Sequence, residues 1–151
     1  MRKLVNRLAR LVPLVAIGAA LMVPTAAAAA DLSIQPVSGT LVARGTEVDV
    51  TVTFTCPAGL SVGSLFGMPG GASASLQQAV SKTAQAAGYG FASNQTCTGQ
   101  PQTAVVQVLA NIPGPPFRTG PAVAAAHLQA CDANFNCVYA ASEPVTIRIS
   151  R

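Results

Sequence analysis

The sequence predicts an all-β protein, an antiparallel sandwich of about seven short strands. Three observations carry this. From Glu47 to Cys56 the chain alternates without a break: Val48, Val50, Val52, Phe54 and Cys56 on one side, Glu47, Asp49, Thr51, Thr53 and Thr55 on the other. Side chains of a strand point to opposite faces in turn, so this stretch is a strand with one buried and one wet face. The same alternation returns at Thr103–Ala110 and at Val145–Ser150, and Gly- and Pro-rich breaks separate the runs. A half-buried strand needs a second layer over its apolar side, which makes a sandwich the economical arrangement.

The first 30 residues belong to a different class. Arg2, Lys3, Arg7 and Arg10 precede an apolar run from Leu11 to Val23; Pro24 follows, and Ala26 to Ala30 supply Ala-x-Ala cleavage sites. This is the pattern of a secretion signal, with cleavage expected between Ala27 and Asp31. The run contains Pro13 and is short for a membrane span. No adjacent arginine pair and no cysteine at the cleavage site point to a twin-arginine or lipid-anchored route. From Asp31 on, Arg44, Lys82, Arg118, Arg148 and Arg151 balance Asp31, Glu47, Asp49, Asp132 and Glu143, a net charge of zero. The expected product is therefore secreted, with no membrane association after cleavage, and nucleic-acid binding loses the basic excess it needs.

Residues 31–151 suffice for one domain with a genuine core. That core must be built from small residues, since the chain has no Trp and much Ala. Cys56, Cys97, Cys131 and Cys137 are an even set in an exported chain, so two disulfides are expected. Four cysteines allow three pairings. The spacer Asp132-Ala-Asn-Phe-Asn136 has the look of a turn between strand ends, which favours Cys131–Cys137 and leaves Cys56–Cys97. The spacing lacks the paired Cys-x₂-Cys geometry of a zinc site.

Along the chain, Leu32 and Ile34 form a short edge strand that Pro36 ends or kinks. Ser38-Gly39 and Arg44-Gly45 mark turns around Leu41-Val42. After the long strand, Pro57 to Gly71 is predicted to be loop. Ala72, Ala74, Leu76 and Val80 suit a strand face from Ala72 to Lys82, with Gln78 and Lys82 as blemishes, although within Ala72 to Ala87 Leu76, Val80 and Ala84 also fit a helical stripe. Gly88-Tyr-Gly90 ends that segment. Ile112-Pro-Gly-Pro-Pro116 is a stiff connection, and Pro121 to Cys131 alternates through small residues.

A Val/Thr strand ending in Cys-Pro-Ala-Gly, a Cys-Thr-Gly, a Pro-Phe-x-x-Gly-Pro-Ala, a Cys-x₅-Cys hairpin and a closing Val-x-Ile-x-Ile strand follow the export signal. In this order the chain resembles small exported immunoglobulin-like proteins of actinobacteria whose function is not established. From Cys131 to Ile149 it is also similar to the apoproteins of enediyne antibiotics, seven-stranded sandwiches that hold a chromophore in a cleft. The resemblance implies an immunoglobulin-like sandwich, and it implies no catalytic residue.

No constellation for chemistry stands out. His127, the only histidine, sits in an alternating run without a nearby carboxylate and reads as a surface strand residue. Glu47 and Asp49 read as the wet side of their strand, and oxidised cysteines leave no thiolate. No metal or cofactor is expected. One feature suggests contact: Leu65, Phe66, Met68, Tyr89, Phe91 and Phe117 lie in predicted loops, where apolar side chains either form a contact surface or plug the ends of an alanine-rich core. The expected function is a non-catalytic binding or surface-contact domain with an unknown protein or a small apolar ligand as partner. A carrier of a small apolar molecule and a protease inhibitor using Pro57 to Gly71 are the alternatives. A cleft lined by the aromatics would favour the carrier.

Overall fold

The computed structural model describes residues 31–62, 71–92 and 95–151. The ten strands among them are β1 (Ser33–Val42), β2 (Glu47–Thr55), β3 (Ser61–Val62), β4 (Ala72–Ala79), β5 (Gln85–Ala92), β6 (Gln95–Thr96), β7 (Gln102–Ala110), β8 (Gly120–Cys131), β9 (Cys137–Ala141) and β10 (Val145–Ser150). Their hydrogen bonds run in the order β10-β1-β2-β7-β5-β4-β8, and β8 pairs in turn with β10. Seven strands therefore close into a ring. Every neighbouring pair is antiparallel except β1 and β10. Closure removes the exposed edges that an open sheet would have to protect.

The alternation read in the sequence sets which side faces in. Val48, Val50 and Val52 are fully buried, and Val106 and Val108 answer them from β7. The opposite wall is lighter, built from Ala72, Ala74, Ala124 and Ala126 with Leu76 and Leu128, and Ile147 and Ile149 fill beside it. The buried cystine Cys56–Cys97 closes a loop of 41 residues, and Cys131–Cys137 one of 6. In the chain-entropy account the first contributes about 4 kcal/mol and the second about 2.

Three local expectations change. Ser38-Gly39 is not a turn, because β1 runs through it; a register shift between Pro36 and Ser38 absorbs the proline and turns Val37 outward. Gly88-Tyr-Gly90 is not punctuation but the middle of β5. There Ala86, Gly88, Gly90 and Ala92 face in while Tyr89 and Phe91 face out. Gln78 is no blemish. Its amide donates to the carbonyls of Arg118 (2.8 Å) and Pro121 (3.3 Å) and accepts from the Arg118 N–H (2.8 Å), so a buried side chain pins the connection into β8.

β8 is long enough to hold two partners along one edge, β10 beside Gly120–Ala124 and β9 beside His127–Cys131. Between them Ser142 bonds Ala126 twice, through its N–H and through its Oγ, both at 2.9 Å. The turn entering β9 is held by Asp132. Its Oδ1 accepts the N–H groups of Asn134 (2.8 Å) and Asn136 (2.9 Å), and its Oδ2 accepts the Asn136 amide (2.9 Å). The Asn136 side chain first, and these backbone N–H groups with it, lower the Asp132 pKa. A depressed folded-state pKa means the turn keeps its full contribution above the unfolded value, about 3.9 for an aspartate. It loses that contribution as the pH falls through the lower folded value. An NMR titration of the Asn134 and Asn136 amides should show a midpoint below that value, absent in Asp132→Ala. A midpoint at or above it would show that the carboxylate does not hold the turn.

Candidate functional site

The strand pairing assembles a concave outer face from β5, β4, β8 and β9. Ser73 lies opposite Phe91 on one side and opposite His127 on the other, and His127 lies opposite Ala141. Opposed residues on paired strands share a face with their Cβ atoms about 5 Å apart, so Phe91, Ser73, His127 and Ala141 form one row across the sheet. In the next row Gln129 faces Tyr139, and its amide donates to the Tyr139 hydroxyl at 3.2 Å. Tyr89 follows Phe91 on the same face of β5, the two rings meeting edge to face with centroids 4.7 Å apart. The result is a concavity of about 380 Å³, with Tyr89 and Phe91 as one wall, Tyr139 as the other, and Gly71, Ser73 and Ala141 in its lining.

Its electrostatics are plain. No Asp, Glu, Lys or Arg lines the concavity. Ser73 is 7% exposed, and neither its hydroxyl nor the His127 ring makes a hydrogen bond among the described residues. Two polar groups thus face the aromatic-walled space without a hydrogen bond from the described residues.

Of the expected contact residues, the structure brings Tyr89 and Phe91 together, on a strand and not in loops. Phe117 does not join them. It is 1% exposed, tied by its N–H to the Gly45 carbonyl at 2.8 Å, and its ring plugs the end of the barrel against Gly88. Leu65, Phe66 and Met68 lie outside the described residues, as does much of the proposed inhibitor loop. Sequence reasoning missed Ser73, Gln129 and Tyr139 as site residues and read His127 only as a surface residue. The expected Cys131–Cys137 hairpin already implied that Gln129 faces Tyr139 and that His127 faces Ala141, so that signal was present. Among the described residues no group of three or more His, Cys, Asp or Glu is placed to hold a metal ion. No helix among them is long and apolar enough to cross a membrane. No protein-family model, no curated protein and no solved structure matches the chain.

Proposed function

We propose that this is an exported, non-catalytic binding domain that takes a small, flat, uncharged molecule into the concave face. The observation that carries it is the pairing of two aromatic walls, Tyr89 with Phe91 and Tyr139 opposite, with a Ser73 and a His127 unbonded among the described residues, in a lining whose described residues carry no Asp, Glu, Lys or Arg. Aromatic walls supply contact area with geometry, and a few convergent polar groups orient the guest. Export rests on the N-terminal pattern and on two cystines, which suit an oxidising compartment. The immunoglobulin-like reading has support in strand order. β1-β2-β7-β5 and β4-β8-β10 correspond to the ABED and CFG sheets of that fold, with the β4–β5 hairpin and the parallel β1–β10 pair as seams. A non-catalytic role suits an imidazole with no carboxylate beside it in the lining.

The chain has two tyrosines and no tryptophan, and Tyr89 and Tyr139 both line the concavity. Tyrosine emission therefore reports from this face alone. Titration with neutral naphthalene and anthraquinone probes should quench it. Phe91→Ala and His127→Ala, which keep both tyrosines, should weaken binding by calorimetry about tenfold each. Because both residues are exposed, the melting temperature should barely move. Probes that bind both variants as tightly as the natural chain would sink the proposal.

A further inference from the structure

A net charge of zero hides how the charges are placed. The pairing registers put one set of strand ends together: the end of β1, the start of β2, the end of β4, the start of β5, the end of β7, the start of β8 and the end of β10. At that pole Arg44 sits in the β1–β2 turn, Lys82 in the β4–β5 turn, Arg118 in the β7–β8 connection, and Arg148 and Arg151 at the end of β10. These are all the cations of residues 31–151, and each is exposed. Asp31 and Asp132 lie at the opposite pole and Glu143 between β9 and β10, whereas Glu47, the first residue of β2, is the one carboxylate side chain at the cationic pole among the described residues, with Asp49 behind it on the flank.

Two adjoining concavities occupy the cationic pole. One, of about 490 Å³, is lined by Arg44, Arg118 and Arg151 with Leu41 and Phe117. The other, of about 400 Å³, shares Arg44 and Pro116 with it and adds Leu109 and Ile112. Ile112 is 95% exposed and Leu109 58%. No Asp or Glu side chain lines either space among the described residues, and the three guanidinium groups have no ion-pair partner there. An isoleucine held almost wholly in water beside three unpaired arginines has the chemistry of a head-and-tail ligand: a phosphate for the guanidinium forks, an acyl boundary for the isoleucine.

We infer that this pole docks the protein on an anionic phospholipid surface. A lipid phosphate would enter the arginine concavity, and Ile112 would enter the headgroup boundary beside it. The acidic far pole favours the same orientation, since the molecule's charge asymmetry turns its cationic end toward a negative surface. A soluble phosphate would leave the apolar concavity unused. A nucleic acid would seek exposed aromatics to stack on, and the only one lining either space, Phe117, is buried.

The test is sedimentation of the exported chain, collected from culture medium, with phosphatidylglycerol or phosphatidylcholine vesicles, alongside the triple variant Arg44→Gln, Arg118→Gln, Arg151→Gln and the single variant Ile112→Ser. Export with cleavage removes the cationic and apolar residues 1–30, which would bind anionic vesicles by themselves. The natural chain should bind phosphatidylglycerol preferentially and release it in about 0.5 M salt, where the Debye length falls to roughly half its physiological value. The triple variant should bind about a hundredfold more weakly, and Ile112→Ser about tenfold. Both should keep the melting temperature. Equal binding of both vesicle types, or a triple variant that binds like the natural chain, would overturn the inference. So would loss of vesicle binding to competing inorganic phosphate or a single-stranded oligonucleotide with Ile112→Ser behaving normally, since either would assign the arginines to a soluble anion.

Discussion

Replacing Phe117 with alanine is expected to lower stability by about 3–5 kcal/mol, the usual range for deleting a buried phenylalanine. The ring is 1% exposed and closes the end of the barrel where β7 hands over to β8. The buried core as a whole consists mostly of alanine and valine side chains, which are too short to reach into the space it would leave. A cavity that cannot collapse puts the cost toward the upper end. For a domain of this size each kcal/mol moves the melting midpoint by roughly 3–6 °C, so the fall should be about 10 °C or more. Ile112→Ala serves as the control: that side chain lies five residues earlier in the same connection and is 95% exposed. Its effect should stay within about 0.5 kcal/mol. A Phe117 variant that melts like the Ile112 variant would return Phe117 to the surface and leave the barrel end open.

The contrast between those two residues shows what was legible in the chain and what was not. β2 could be read residue by residue, because Val48, Val50, Val52 and Phe54 face in and acids and threonines face out, and β7 because Ala104, Val106 and Val108 alternate with Thr103, Val105 and Gln107. β5 could not, because its pattern is reversed. Glycine and alanine face the core, aromatics face water, and Gly88-Tyr-Gly90 then looks like a turn. The reversal is also what builds the concave face, since Tyr89 and Phe91 became a wall only once β5 was known to be a strand. Gln78 broke the apolar pattern of β4, and its partners, the backbone of Arg118 and Pro121, lie 40 and 43 residues away. The cationic pole was hidden for a different reason. Net charge adds charges without positions, and Arg44, Lys82 and Arg118 meet only when seven strands are laid in their actual directions. Closure of the ring was equally out of reach, because it depends on one parallel pairing between the first and last strands of the domain.

The second large effect is expected at Gly90, where the ring depends on bare backbone. A Cβ built there would lie 1.8 Å from the carbonyl oxygen of Gln107 and 2.8 Å from the Cα of Val108. Both are main-chain atoms of the paired strand, so no side chain can swing aside. In Gly90→Ala, β5 and β7 must separate locally by more than an ångström, and the register from Gly88↔Ala110 to Phe91↔Gln107 is disrupted. Each buried backbone group left without a partner costs about 1–3 kcal/mol. A total of about 3 kcal/mol or more is expected, with a midpoint fall of roughly 10 °C or more. Gly59→Ala separates close approach from mere backbone strain. Gly59 has a φ of +89° but open space around it, nothing lying within 4 Å of its Cβ position. That variant should lose only about 1–2 kcal/mol for a left-handed alanine. Gly90 also stands between Tyr89 and Phe91, so its replacement should abolish probe quenching even below the melting transition. If Gly90→Ala melts no earlier than Gly59→Ala, β5 and β7 are not in close backbone contact, and both the closed ring and the aromatic wall it supports must be redrawn.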